Sequence, residues 1–137
     1  LGQYATPEVI AAEAEALLKR YPKNPAAINV KAVALLRDNK LAEADAATQV
    51  LRQNPDGLRM EAVYLDTLAR IDIALGRLEA GVANYTEAMR LDPNLSKAYA
   101  RKLSELGFLP LSNSPDGVLM ALQRCIDVKR EACRMAM

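Results

Sequence analysis

Ala62-Val-Tyr-Leu-Asp-Thr-Leu-Ala-Arg-Ile-Asp-Ile-Ala74, then Leu75-Gly76-Arg77, then Leu78-Glu-Ala-Gly-Val-Ala-Asn-Tyr-Thr-Glu-Ala-Met89, is the stretch on which the fold turns. Apolar residues recur at three- and four-residue spacing on both sides of Leu75-Gly76-Arg77, which is the period of a helix with one buried face. A connection this short folds two consecutive helices into an antiparallel pair. The same grammar occurs upstream, in Pro25–Arg37, then Asp38-Asn39-Lys40, then Leu41–Leu51. Three proline-containing marks space the segments: Tyr21-Pro22-Lys23-Asn24, Asn54-Pro55-Asp56-Gly57 and Leu91-Asp92-Pro93-Asn94. Pro22 to Pro55 is 33 residues and Pro55 to Pro93 is 38. A period in this range signals stacked helical units that bury their apolar faces against each other.

The segments closely resemble the tetratricopeptide repeat, in the Ala-rich form familiar from bacterial proteins. That family's pattern has Leu and a small residue midway along the first helix. A small residue early in the second helix, an aromatic, Ala and a closing Pro follow. The second segment places Leu68-Ala69, Gly81, Tyr85, Ala88 and Pro93 there; the first places Lys31-Ala32, Ala44, Thr48, Leu51 and Pro55. Residues Asp56 to Glu61 are read as lengthening the next first helix by about a turn. The resemblance implies an all-α, right-handed α-solenoid of antiparallel helix pairs, forming one domain over 1–137. Its parts are a helix of a preceding repeat (7–21), repeats 25–55 and 58–93, and a partial repeat with a divergent C-terminal capping helix (95–134). Thr6-Pro7-Glu8 is a helix start, with Thr as cap and Pro at the first position. Val9, Ile10, Ala14, Leu17, Leu18 and Tyr21 are expected on the buried side of that first helix. Ser114-Pro115-Asp116 opens the last one. The segment Leu1-Gly2-Gln3-Tyr4 reads as a trimmed start with no leader.

Composition removes several function classes. There is no histidine, which excludes Ser-His-Asp and Cys-His nucleophile systems and the His-based zinc helix. Lys and Arg number 18 against 17 Asp and Glu, and they alternate along the chain, so no basic patch invites nucleic acid. No apolar run of ~18 residues suggests a membrane span. Catalytic, cofactor and metal sites are therefore expected to be absent. Gly76-Arg77-Leu78-Glu79-Ala80-Gly81 has the glycine spacing of a phosphate loop, but Val82-Ala83 follow where Lys and Ser or Thr belong. Asp66 and Arg70, four apart, form a helix-face pair. Asp72 and Lys31 occupy places that the family usually fills with packed residues. They are read either as rim-exposed side chains or as partners of each other. Tyr85 and Tyr99 are expected in the core and Tyr64 towards a groove. Cys125 and Cys133 would stand ~12 Å apart on a straight helix, beyond the ~7 Å a disulfide spans. Reduced thiols on an intact helix are the expectation. The alternative is a break near Asp127 to Arg130, a bridge and an oxidising compartment.

The resemblance also implies where a partner sits, because first helices of the family line a concave groove. The first full repeat would present Asn29, Val33, Leu36 and Arg37. The second would present Val63, Asp66, Arg70 and Ile73, and the third Lys97, Arg101 and Ser104. Lys97 and Arg101 match the third-repeat pair of a subset that grips a C-terminal carboxylate; Asn29, Val33 and Thr67 depart from it. A protein-interaction scaffold holding a peptide or partner helix follows, with homo-oligomers through exposed terminal repeats as a further possibility. Leu103-Ser-Glu-Leu-Gly107-Phe108 through Asp116-Gly117 to Ala121-Leu122 weakly resembles small peptidoglycan-binding modules. That likeness supports an alternative, a cell-envelope accessory protein, and leans the location from cytoplasm towards periplasm. A regulatory region of a larger enzyme is the third reading.

Overall fold

The first two helix starts are written in their caps. In the computed structural model, which describes residues 6–54 and 57–136 (without the side chains of 129–132 and 134–136), all regular structure is helical. Helix α1 (Pro7–Arg20) begins where the Thr6 hydroxyl accepts the Val9 N–H at 3.2 Å. Helix α2 (Pro25–Arg37) begins where the Asn24 side chain accepts the Ala27 N–H at 3.0 Å. Each cap satisfies an amide the helix cannot, and each is followed by a proline that has no amide to satisfy. The chain forms two compact units, Leu1–Arg59 and Met60–Met137.

In the first unit α2 packs on α1 and on α3 (Leu41–Ala47). Ala32 and Ala44 have no exposed surface, as small residues at a close helix contact should. Two expectations are corrected here. The second helix of this repeat is broken at Thr48 and resumes as α4 (Gln49–Gln53). The buried Thr48 hydroxyl donates to the carbonyls of Ala44 (3.2 Å) and Asp45 (2.9 Å), a back-bond that bends helices. On α1 only Ala14 is buried, while Val9, Ile10, Leu17 and Tyr21 are exposed. That helix packs chiefly on α2 within the unit, and these apolar side chains stay exposed. Residues 57–61 are not helical and lengthen nothing: Asn54 and Gly57 have positive φ, and the Asn54 amide donates to the Leu58 carbonyl at 2.8 Å. Pro55 and Asp56, read as stop and extension, lie outside the described residues, as does the opening segment 1–5.

In the second unit α5 (Ala62–Ala74) and α6 (Leu78–Leu91) pack most extensively. Gly81 is needed there: a Cβ on it would stand 2.5 Å from Ile73 Cδ1 and 3.2 Å from the Ala69 carbonyl oxygen. Glycine at 76 serves the turn, with φ of 84°. Both glycines of the phosphate-loop spacing thus have a structural role, one in the turn and one in the helix contact. Helix α7 (Asn94–Glu105) follows, and then α8 (Pro115–Ala136), capped where the Ser114 hydroxyl accepts the Gly117 N–H at 3.3 Å. The last helix lies against α5 and α6 as well as α7. One apolar cluster joins all four helices, from Ala69, Ile73, Tyr85 and Met89 to Leu103, Val118, Leu122 and Ile126.

Three further corrections belong to this unit. Cys125 and Cys133 are bridged, with Cα atoms 6.1 Å apart, so α8 bends back between them instead of running straight. Both are buried and belong to the apolar cluster. Asp72 is not rim-exposed. It is fully buried, accepting from Arg77 Nε at 3.0 Å and Asn84 Nδ2 at 2.8 Å, while Lys31 pairs with Glu15 at 3.2 Å. Tyr64 is buried, not turned to a groove.

Candidate functional site

Two places gather the residues singled out for binding, one in each unit. In the second unit the Asp66 carboxylate is buried on α5. The Tyr99 hydroxyl of α7 donates to its Oδ1 at 2.5 Å, and Arg70 Nη2 stands 2.9 Å from its Oδ2. Burial pushes the Asp66 carboxyl above the usual carboxylate range, opposed by the Arg70 charge, the Tyr99 hydrogen bond and the Lys102 charge. The Tyr99 phenol is pushed far above its ordinary value, first by burial and then by the Asp66 charge. Tyr85 packs edge-on against the Tyr99 ring, with centroids 5.1 Å apart, and its buried hydroxyl has no hydrogen-bond partner. This cluster ties α7 to α5. It exposes no nucleophile, and its acceptor is already met by two donors.

The remaining predicted residues of this unit separate. Val63, Lys97, Arg101 and Ser104 are exposed, and the Ser104 hydroxyl is turned onto the Ala100 carbonyl at 2.8 Å. Ile73 lines no surface. It is fully buried beneath Gly81, because positions 69 and 73 of α5 both face α6. Leu36 of the first unit is likewise buried.

The first unit brings three predicted residues together. Asn29, Val33 and Arg37 follow one another at four-residue spacing along α2, hence on one face. With Val30 and Ala34 they form one wall of a cleft of about 250 Å³, and Pro7, Ile10 and Ala11 of α1 form the other. Apart from Asn29 and Arg37 every lining side chain is apolar. Asn29 is 9% exposed, and its Oδ1 has no hydrogen-bond partner. Arg37 is exposed at the far end. The Ile10 wall was missed in the sequence, since Ile10 reads there as core; its signal was only that α1 carries more apolar residues than one contact covers.

The segment that resembles peptidoglycan-binding modules spans the α7–α8 connection. Leu109 and Leu111 are 72% and 83% exposed, and Arg124 donates to the Leu109 carbonyl at 3.0 Å. Gly117 has a local reason, because a Cβ there would come within 2.7 Å of the Ser112 carbonyl oxygen. Among the described residues no group of three potential metal-ligating side chains occurs, and no helix is long and apolar enough to cross a membrane. Compared with family models, curated proteins and solved structures, the chain matches none of them.

Proposed function

We propose that this chain is a protein-interaction module with no catalytic role, built as a tetratricopeptide-like right-handed solenoid of helix pairs that holds a segment of another protein. The observation that carries this reading is the α1–α2 cleft, where apolar walls meet a buried amide lacking a partner and an exposed guanidinium. Binding sites commonly have this build, with apolar walls for affinity and a few polar groups for orientation. The exposed Lys97 and Arg101 of α7 are, on this reading, a second contact, giving specificity through charge. The test is affinity capture of a partner from the source cell, followed by binding measurements on variants. Val33→Glu, which puts a carboxylate into the apolar wall, should weaken binding at least tenfold, about 1.4 kcal/mol, with the melting temperature little changed. A partner held equally by Val33→Glu and by Arg101→Glu would overturn the reading.

The Cys125–Cys133 bridge favours a second reading, an accessory protein of the cell envelope, since disulfides persist in oxidising compartments such as the bacterial periplasm. Thiol labelling of the protein taken directly from its cells checks this: unlabelled cysteines without reductant support it, and labelled ones remove the support.

A further inference from the structure

Helix α8 turns a large apolar side chain outwards, between charges of opposite sign. Met120 is 59% exposed, and Leu111 of the preceding loop is 83% exposed. The two line a cleft of about 230 Å³ whose other lining residues are Gly117, Gln123 and Arg124. Apolar groups left open together in this way mark contact surfaces. What they contact is written in the charges around Met120. Asp116 stands four residues before it and Arg124 four residues after it, so the three share one face of the helix. All three are exposed, and all three precede the bend of α8. Arg124 Nη2 donates to the Leu109 carbonyl at 3.0 Å, and a guanidinium has further N–H groups to give. Neither Asp116 nor Arg124 forms an ion pair among the described residues. Such a face is complementary to itself. Two copies laid antiparallel about a two-fold axis at Met120 bring together residues equally far from Met120 in opposite directions. Met120 then meets the second copy's Met120. Asp116 meets the second copy's Arg124, and this pair occurs twice, as a two-fold contact requires. Gly117, three residues before the axis, opposes Gln123 and has no side chain to hold the helices apart. A parallel pair would instead set Asp116 against Asp116 and Arg124 against Arg124, which like charges oppose.

From this symmetry of charge we infer that the exposed face of α8 is a self-association surface, on which a second copy of this chain docks antiparallel, with Met120 at the axis and an Asp116–Arg124 pair on either side. Met120 and Leu111 supply affinity as their apolar surface leaves water, and the charges fix the register. Two turns of helix and a loop make a small contact, so the dimer is weak and forms only as the protein is concentrated. The inference goes beyond the interaction-module reading and does not depend on it, since it uses no residue of the α1–α2 cleft.

Sedimentation equilibrium of the whole chain, over a concentration series reaching about 1 mM, tests it. The parent should pass from monomer to dimer and no further. Met120→Glu, which sets two carboxylates face to face at the axis, should leave a monomer throughout. Asp116→Arg puts Arg against Arg, and Arg124→Asp puts Asp against Asp; each should weaken the dimer about tenfold. The double variant Asp116→Arg with Arg124→Asp restores opposite charges across the axis and should dimerise like the parent. Mixing the two single variants should also restore a dimer, one chain of each. All these positions are exposed, and circular dichroism checks that each variant keeps its helix. Arg124→Asp also removes the bond to the Leu109 carbonyl, so Asp116→Arg, which leaves that bond in place, carries the test if the loop shifts. Val33→Glu, in the α1–α2 cleft, should leave the dimer unchanged. A parent that stays monomeric overturns the proposal, whether a different protein or another part of this chain then proves to cover Met120. A dimer that survives Met120→Glu overturns it, as does one that Val33→Glu abolishes. Single charge reversals without effect overturn it too, and so does a double variant that fails to recover.

Discussion

Asp66 is held in a place where burial works against its charge, and two donors hold it there. The Tyr99 hydroxyl is one of them, at 2.5 Å. Tyr99→Phe keeps the ring and its edge contact with Tyr85 but removes that donor. It should cost about 1.5–3 kcal/mol, the range for a hydrogen bond to a charged group, read by denaturant unfolding. The titration of Asp66 runs opposite to that of a typical surface carboxylate. Its folded pKa is raised, chiefly by burial, so the folded state binds the proton more tightly than the unfolded chain does. Its contribution to stability therefore grows as the pH falls through the folded value, and is complete below the unfolded one near 3.8. Compared with Asp66→Asn, which does not titrate, the parent should gain stability from neutral to acid pH. A stability difference between the two that stays flat with pH would contradict the assignment.

At the scale of elements, the α5–α6 pair depends on what is missing from Gly81. Helix propensity alone would make Gly81→Ala stabilising by about 1 kcal/mol. The new Cβ would lie 2.5 Å from Ile73 Cδ1, and Ile73 is fully buried in the cluster. Overpacking of this kind costs about 1–3 kcal/mol, so the substitution should be net destabilising. The same change in an Ile73→Ala background, where both clashing carbons, Cδ1 and Cγ1, are gone, should be neutral or stabilising. That change of sign across a double-mutant cycle is the measurement that checks the contact. Arg77 and Asp72 are a second tie in this pair, linking the turn to the buried carboxylate at 3.0 Å. Arg77→Ala should cost about 1.5–3 kcal/mol by the same hydrogen-bond argument.

For the whole molecule, the bridge closes an eight-residue separation within α8. Loop entropy for a ring that short amounts to about 2–3 kcal/mol, so reduction should lower the melting temperature of the second unit by several degrees. A melting curve unmoved by reductant, with both thiols shown free by mass, would contradict it. Far-ultraviolet circular dichroism of the intact protein should show helix without strand.

The helices themselves were legible along the chain. Pro25–Arg37 begins at the Asn24 cap, and both it and Ala62–Ala74 follow the apolar period, because these signals act within a turn or two. Gly81 and Ala69 were legible as a close contact for the same reason, since only small residues let helix backbones approach. The binding wall was readable in part: Asn29, Val33 and Arg37 share a face by spacing alone. What the spacing left open was decided by helices meeting across long separations. Asp72 found Asn84 and Arg77. Asp66 acquired Tyr99 from 33 positions away. Ile73 and Leu36 went inside, and Ile10 stayed out. Cys133 and Cys125 were bridged inside the four-helix cluster. Period tells which residues share a face of one helix; which face meets another helix depends on burial summed over all of them, and only the tertiary structure carries out that sum.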